Sequence, residues 1–274
     1  MMLNVPKDQE KSYAEGKILQ SVGDGIGIVT FNNPEKRNAM SLDMWEGLGL
    51  ALIELRDDPG VRVVVLVGAG DKAFVSGADI SQFEKTRHNA EASEEYSKRS
   101  AAQRALLADY PKPTIACIRG FCLGGGMQVA MLADIRLAAD DSQFGIPAAK
   151  LGIAYGYDGL RNLVTLVGPS WARLIMYTGM RIGSAEAQRI GLVDRVLPDA
   201  ELWDATLEIA RAISGNAPLA IKAAKITIAQ VLKDPDDRDF DAVKAIGSAC
   251  MDSEDFREGR RAFMEKRKPV FKGK

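Results

Sequence analysis

Apolar residues follow two rhythms along this chain. "VRVVVLVG" at 61–68 and "TIACI" at 114–118 are short apolar runs without alternation, the pattern of parallel strands buried on both faces. "KILQSV" and "GIGIVTFN" flank Gly23-Asp24-Gly25, which reads as a hairpin. Ser41 to Leu55 carries helical spacing, with Ser41 as N-cap and Asp57-Asp58-Pro59-Gly60 as the stop. Residues 81–109 are polar and helix-forming, and Pro111 and Pro113 bracket the entry to "TIACI". A glycine turn, a helix and the strand "DIRLAA" follow. This alternation predicts an α/β fold with right-handed crossovers. From about residue 202 the strands stop. Segments 202–214, 218–232, 238–251 and 253–267 read as helices, interrupted at Gly215, Pro218 and Pro235. The chain therefore divides into a flexible tail over 1–16, an α/β core over 17–201 and a helical region over 202–274, with no internal repeat.

Composition narrows the function classes. The 274 residues are 46% apolar and 27% charged, ordinary values for a globular protein with a sizeable core. A formal net charge of −1 provides no global field for nucleic acid. The longest uncharged run, Gly120 to Ala133, has 14 residues and is glycine-rich, short of the roughly 20 a membrane span requires. "MMLNVPKDQEKSYAEG" lacks the apolar stretch of a secretory signal. Cys117, Cys122 and Cys250 are odd in number, which points to reduced thiols in a cytoplasm-like compartment.

The chemistry centres on "TIACIRGFCLGGGMQVAMLADIRLAAD", Thr114 to Asp140, where Gly124, Gly125 and Gly126 stand between a strand and a helix. The first N–H groups of a helix have no intrahelical partner, and glycines let a polarised oxygen approach them closely. The other reading of the triplet is close helix–strand packing alone. "KAFVSGADI" at 72–80 follows the 61–68 strand, and Gly77 permits a backbone turn that exposes the Ala78 amide. One donor from each loop would make an oxyanion hole, each worth about 3–4 kcal/mol where measured.

Both loops together, with "NNPEKRNAMS" at 32–41, "SQFGIPAAKLGI" at 142–153, "TGMRIGSAEAQRIGLVDRVLP" at 178–198 and "DSEDFREGRRAFMEKRKPVFKGK" at 252–274, closely resemble the crotonase (enoyl-CoA hydratase/isomerase) superfamily. The resemblance implies a crotonase-like spiral of ββα units whose C-terminal helices serve trimerisation, assembled as a homotrimer or a dimer of trimers. It implies an acyl-CoA thioester as substrate, with no cofactor beyond its CoA moiety and no metal. The amides of Ala78 and Gly125 would hold the thioester carbonyl and stabilise an enolate-like oxyanion. The CoA moiety would lie along Lys36, Arg37, Asn38 and Ala39 and along Lys72, Ala73 and Phe74, with Ala78, Asp79 and Ile80 near its pantetheine end. Phe263 and Lys266, within a segment from Arg257 to Lys274 that carries eight Lys or Arg against two Glu, would reach the nucleotide. Read alone, that segment is a solvated basic helix face.

The chain departs from the family where proton transfer is expected. Hydratases of this kind carry a glutamate two residues after the glycines and another after the proline of the next loop; here those positions hold Gln128 and Ala148. Neither group exchanges a proton at neutral pH. Asp158 in "LGIAYGYDGLRNL" is either a helix cap or an acid–base group beside the α-carbon. "PAAKLGIAYGYDGLRNL" and the C-terminal segment also resemble a methylmalonyl-CoA decarboxylase branch, which has a tyrosine matching Tyr155, although that branch has a histidine in the first oxyanion loop. Pocket lining is the alternative for Tyr155 and Tyr157. His88 stands in a polar stretch as a solvated helix position, and no nucleophile triad or Cys/His metal spacing is present. Three readings remain open: an enolate-stabilising enzyme of the family, a decarboxylase of a malonyl-type thioester, and a silent acyl-CoA-binding protein.

Overall fold

The computed structural model describes residues 10–79 and 89–274, so Ile80 and His88 lie outside the described residues. β1 (Lys11–Tyr13), β2 (Ile18–Gly23) and β3 (Ile26–Phe31) form an antiparallel meander. Asp24 and Gly25 make the predicted hairpin turn, both with positive φ. The end of the expected tail is thus tied down, because Lys11–Tyr13 pairs with β2.

Helix α1 (Leu42–Asp57) leads to three successive ββα units. The first comprises β4 (Val63–Gly68), β5 (Ala73–Val75) and α2 (Ala90–Ala108). The second comprises β6 (Thr114–Ile118), β7 (Phe121–Leu123) and α3 (Gly125–Leu132). The third comprises β8 (Ile135–Ala139), β9 (Gln143–Gly145) and α4 (Tyr157–Thr178), the last kinked at Gly168-Pro169. In each unit the first strand joins one sheet and the second joins another. Strand β10 (Arg181–Gly183), helix α5 (Ser184–Arg189) and strand β11 (Arg195–Leu197) complete them. The seven-stranded sheet has the order β1-β2-β3-β4-β6-β8-β11 and the four-stranded sheet β10-β9-β7-β5. This is the predicted α/β spiral.

The unalternating strands are explained by two apolar clusters. Val64 and Leu66 of β4 enter one, with Met44 and Leu48 of α1; Val63 and Val65 enter the other, with Leu202, Leu207 and Ala210 of α6 (Asp199–Gly215). Helix α6 thus closes the second face of the large sheet. The expected boundary at 202 falls inside this helix, and the chain leaves the core only after Asn216. Helices α7 (Pro218–Val231) and α8 (Phe240–Asp252) have no buried residue, and α9 (Glu254–Met264) buries only Asp255 and Ala262. The Asp255 carboxylate accepts from the Lys272 and Gly273 amides at 2.7 and 2.8 Å, fastening the last residues to α9. Much of the basic segment is also paired internally, Arg267 with Glu258 and Glu265. Among the described residues, no helix is long and apolar enough to cross a membrane.

Candidate active site

Strands β5 and β7 are neighbours and run parallel, so the loops that leave them emerge side by side at one edge of the small sheet. After β5, Gly77 takes φ +126, which L-residues rarely adopt. Met40 N–H donates to Gly77 O at 2.8 Å and Asp79 N–H donates to Met40 O at 2.9 Å. In such a parallel bridge the flanking residues make the bonds, and the N–H of the middle residue, Ala78, points the other way. Among the described residues no hydrogen bond uses it. After β7, Gly124 has φ +49 and ψ −106 as N-cap of α3, and Gly125 is the first helical residue. A Cβ built on Gly125 would sit 3.7 Å from the Ala78 nitrogen. The two loops are therefore in contact, and both offer a backbone donor. The positive end of α3 adds to the field there.

The loop before α1 is fastened to the same place. Asn38, in the left-handed region at φ +56 and fully buried, donates to Ala69 O at 3.0 Å and Ala73 O at 2.7 Å and accepts from Asn33 N–H at 2.9 Å. Lys36 pairs with the buried Asp79 carboxylate at 2.9 Å. Asn38→Ala is expected to cost about 3 kcal/mol, because two buried carbonyls lose their donor and a non-glycine residue remains at positive φ. Urea denaturation measures it; a cost below about 1 kcal/mol would mean that the amide is dispensable.

The candidate CoA residues fall into two groups. Lys36, Arg37, Ala39, Lys72 and Asp79 surround the first loop, and Arg37 lies over the Phe121 ring at 5.3 Å. The side chains of Ala73 and Phe74 are in the core, Phe74 packing edge-on against Phe31 at 5.4 Å, which leaves only their backbone for any role at a ligand. Phe263 and Lys266 are exposed at the far C-terminus. Phe263 lines an apolar cavity of about 460 Å³ with Phe256 and Phe271.

At the proton-transfer positions, Gln128 stands one turn into α3 from Gly125 and is half-buried. Ala148 is buried in a short 3-10 turn. The Tyr155 hydroxyl is buried beside the Gln128 side chain, and among the described residues no hydrogen bond of good geometry uses it. Burial pushes its pKa up strongly, so the phenol stays neutral; the Gln128 side chain and the Arg104 guanidinium act against that push. Helix α4 begins at Tyr157 with Gly156 as N-cap, which leaves Asp158 as its exposed second residue rather than the cap. Tyr157 is likewise exposed. Cys122, just before the glycines, is a buried free thiol. Sequence reasoning missed Arg104, which donates to Ser100 Oγ at 3.1 Å and lies over the Trp45 ring at 5.6 Å. Nothing in its local sequence marks it.

The chain is similar to known proteins over nearly its whole length. The profile of the enoyl-CoA hydratase/isomerase family matches residues 21–274. A short-chain-enoyl-CoA hydratase of Clostridium acetobutylicum is 36% identical over 92% of this chain and 95% of its own. A carnitinyl-CoA dehydratase of Salmonella agona is 34% identical over 90% and 94%. A crystal structure of an enoyl-CoA hydratase/carnithine racemase from Magnetospirillum magneticum superposes with a TM-score of 0.92 at 35% identity, covering 97% of this chain and 98% of that one. An enoyl-CoA hydratase from Bacillus anthracis gives 0.86 at 31% identity, covering 94% and 100%.

Proposed function

Because the chain belongs to the enoyl-CoA hydratase/isomerase family, we propose that it binds an acyl-CoA thioester with the carbonyl oxygen between the Ala78 and Gly125 N–H groups and stabilises the enolate formed there. The observation that carries this reading is the meeting of two uncommitted amides at the ends of adjacent parallel strands. As negative charge develops on the thioester oxygen, preoriented donors and the α3 dipole meet it without reorganisation. Lys36, Arg37 and Ala39 with the backbone of 72–74 take the CoA chain, and Phe263 and Lys266 take its nucleotide end. A 13C-carbonyl-labelled acyl-CoA tests the hole. Its carbonyl stretching frequency is expected to fall on binding, since two hydrogen bonds weaken the C=O bond, and an unshifted band in the bound thioester would refute the placement.

A second reading follows from the neutral Gln128, Ala148 and Tyr155. Loss of CO2 from a malonyl-type thioester leaves its electron pair on the α-carbon, delocalised into the same oxyanion, and a proton from water completes the product. No strong base is needed, which suits a site without carboxylates at 128 and 148. A panel of enoyl-, dienoyl- and malonyl-CoA thioesters followed by mass spectrometry separates these routes. Binding with no turnover anywhere in the panel would favour a silent binding protein.

The assembly is expected to be built from trimers. Ile228, Val231, Leu232, Phe240 and Met251 leave α7 and α8 with large apolar groups more than half exposed, and neither helix buries any residue within the chain. An apolar surface of this kind calls for a partner. Light scattering that finds a monomer at micromolar concentration would contradict this.

A further inference from the structure

We propose that Arg181 is a further CoA-binding residue, and that it forms with Arg37, both guanidiniums resting on one phenyl ring, a clamp for the diphosphate of the CoA moiety. This rests on the acyl-CoA reading above and adds a phosphate site to it.

The ring is that of Phe121, the first residue of β7. The guanidinium carbon of Arg37 lies 5.3 Å from its centroid, and that of Arg181, the first residue of β10, lies 5.2 Å from it. Two like charges thus share one half-buried ring. Among the described residues neither guanidinium has a carboxylate partner, and Asp79 of the neighbouring loop is taken by Lys36. Stacking holds a guanidinium by its face and leaves open the N–H edge, which is the edge that pairs with a phosphate. The repulsion between the two cations is relieved by an anion that both can reach.

Backbone contacts tie this ring to the oxyanion loops. Arg37 stands in the left-handed region at φ +52, a conformation that glycine and asparagine favour, so a long cationic side chain is held there against local preference. Its carbonyl accepts from the Ser76 N–H at 3.1 Å, two residues before Ala78. Phe121 pairs with Ala73 of β5, and its N–H donates to Lys72 O at 3.0 Å. Gly125 is four residues further along the chain, at most about 14 Å away. An extended pantetheine arm spans a distance of that order. A thioester held at Ala78 and Gly125 therefore carries its diphosphate to Phe121. Arg181 comes to the ring from the edge of the small sheet, where β10 pairs with β9 and β9 with β7. In that register Gly145 stands between Arg181 and Leu123, and its lack of a side chain leaves room for the arginine to lie across the sheet.

The competing account is that the two arginines only cover an apolar ring. Calorimetry with butyryl-CoA and with butyryl-dephospho-CoA, which keeps the diphosphate and lacks the 3′-phosphate, separates the two. The proteins are the wild type, Arg181→Gln, Arg37→Gln, the double variant, Phe121→Leu and Arg195→Gln. Arg195 is an exposed residue of β11 in the large sheet and controls for the lost charge, and urea denaturation monitors the fold. Arg181→Gln is expected to weaken both thioesters by about 10-fold, near the low end for a charge-assisted hydrogen bond because the clamp is exposed. Arg195→Gln should leave both within about twofold, since a distant exposed charge is screened. The losses in Arg37→Gln and Arg181→Gln should not add in the double variant, because both residues act on one diphosphate. Phe121→Leu, which removes the face that both guanidiniums rest on, should lower both affinities several-fold. Unchanged affinity in Arg181→Gln, or an equal loss in Arg195→Gln, overturns the proposal. So does a loss seen with butyryl-CoA alone, which would assign Arg181 to the 3′-phosphate. The carbonyl band of the bound thioester keeps this inference apart from the reading beneath it. If the band shifts in the wild-type protein while Arg181→Gln binds as tightly, the clamp alone is wrong. If the band does not shift in the wild-type protein, the placement of the thioester fails and the clamp fails with it.

Discussion

Gly126→Ala should destabilise the protein by about 3 kcal/mol or more, the upper end of what overpacking costs. In an exposed helix the same change stabilises by about 0.5–1 kcal/mol, because alanine is the better helix former. Here the sign reverses. A Cβ on Gly126 would stand 2.1 Å from the Val75 carbonyl oxygen and 2.9 Å from its carbon, and both are backbone atoms of β5 that cannot rotate aside. To admit the methyl, α3 must move away from β5, which separates the Ala78 and Gly125 loops. Gly125→Ala is the informative partner. Its Cβ would meet Gly77 and Ala78 at 3.5–3.7 Å, ordinary contact distances, so the fold should hold within about 1 kcal/mol. The new methyl would nevertheless stand beside both amides, and thioester affinity should fall. Urea denaturation and acyl-CoA titration of the two variants separate these effects. A Gly126→Ala protein as stable as the parent would show that the close approach of α3 to β5 does not hold the site.

The three glycines therefore have three separate reasons. Gly124 turns the chain through a backbone angle closed to other residues, Gly125 leaves room over an amide, and Gly126 lets α3 touch β5. The sequence made the first two readable, since a strand followed by glycines and an apolar run implies a turn into a helix with open N–H groups. The third was legible only as helix–strand packing in general, since its partner β5 is a three-residue strand with too few positions to show a period. For the same reason β9 and β10 were not legible, and with them the second sheet. The long, doubly buried strands β4 and β6 were legible, because an unalternating apolar run has few other uses. Asp158 was misjudged as a cap because aspartate favours that position, whereas Gly156 takes the extended backbone and the helix starts two residues earlier. Phe74 reads as part of a ligand loop, yet its side chain packs on Phe31 in the core, because β5 is buried along its whole length. Arg104 had no local signal at all. Its place is set by how α2 packs on α1 and α3, a relation between segments far apart in the chain.

Gln128→Glu combined with Ala148→Glu is expected to raise crotonyl-CoA hydration by about 10²–10⁴, the usual contribution of positioned acid–base groups. Addition of water requires one group to take a proton from water and one to deliver a proton to the α-carbon. The parent offers an amide at 128, a methyl at 148 and, at Tyr155, a phenol that burial keeps protonated. None of these takes a proton from water near pH 7. The backbone donors are unchanged by either substitution, so the restored carboxylates would act on an oxyanion already stabilised. Two features make the gain incomplete. Ala148 is buried, and a glutamate there must displace its neighbours or turn outward. Arg104 already acts on Tyr155 beside Gln128, and its charge would hold a new carboxylate at 128 ionised and make it a weaker base. Adding Arg104→Gln to the double variant should therefore raise its rate again. The measurement is loss of the enoyl thioester absorbance in the parent, each single variant, the double and the triple. If the parent already hydrates crotonyl-CoA at about 10 per second, an ordinary enzymatic rate, the missing carboxylates were never required. Proton transfer would then have to come from a group outside positions 128 and 148, with Asp158 the first to replace.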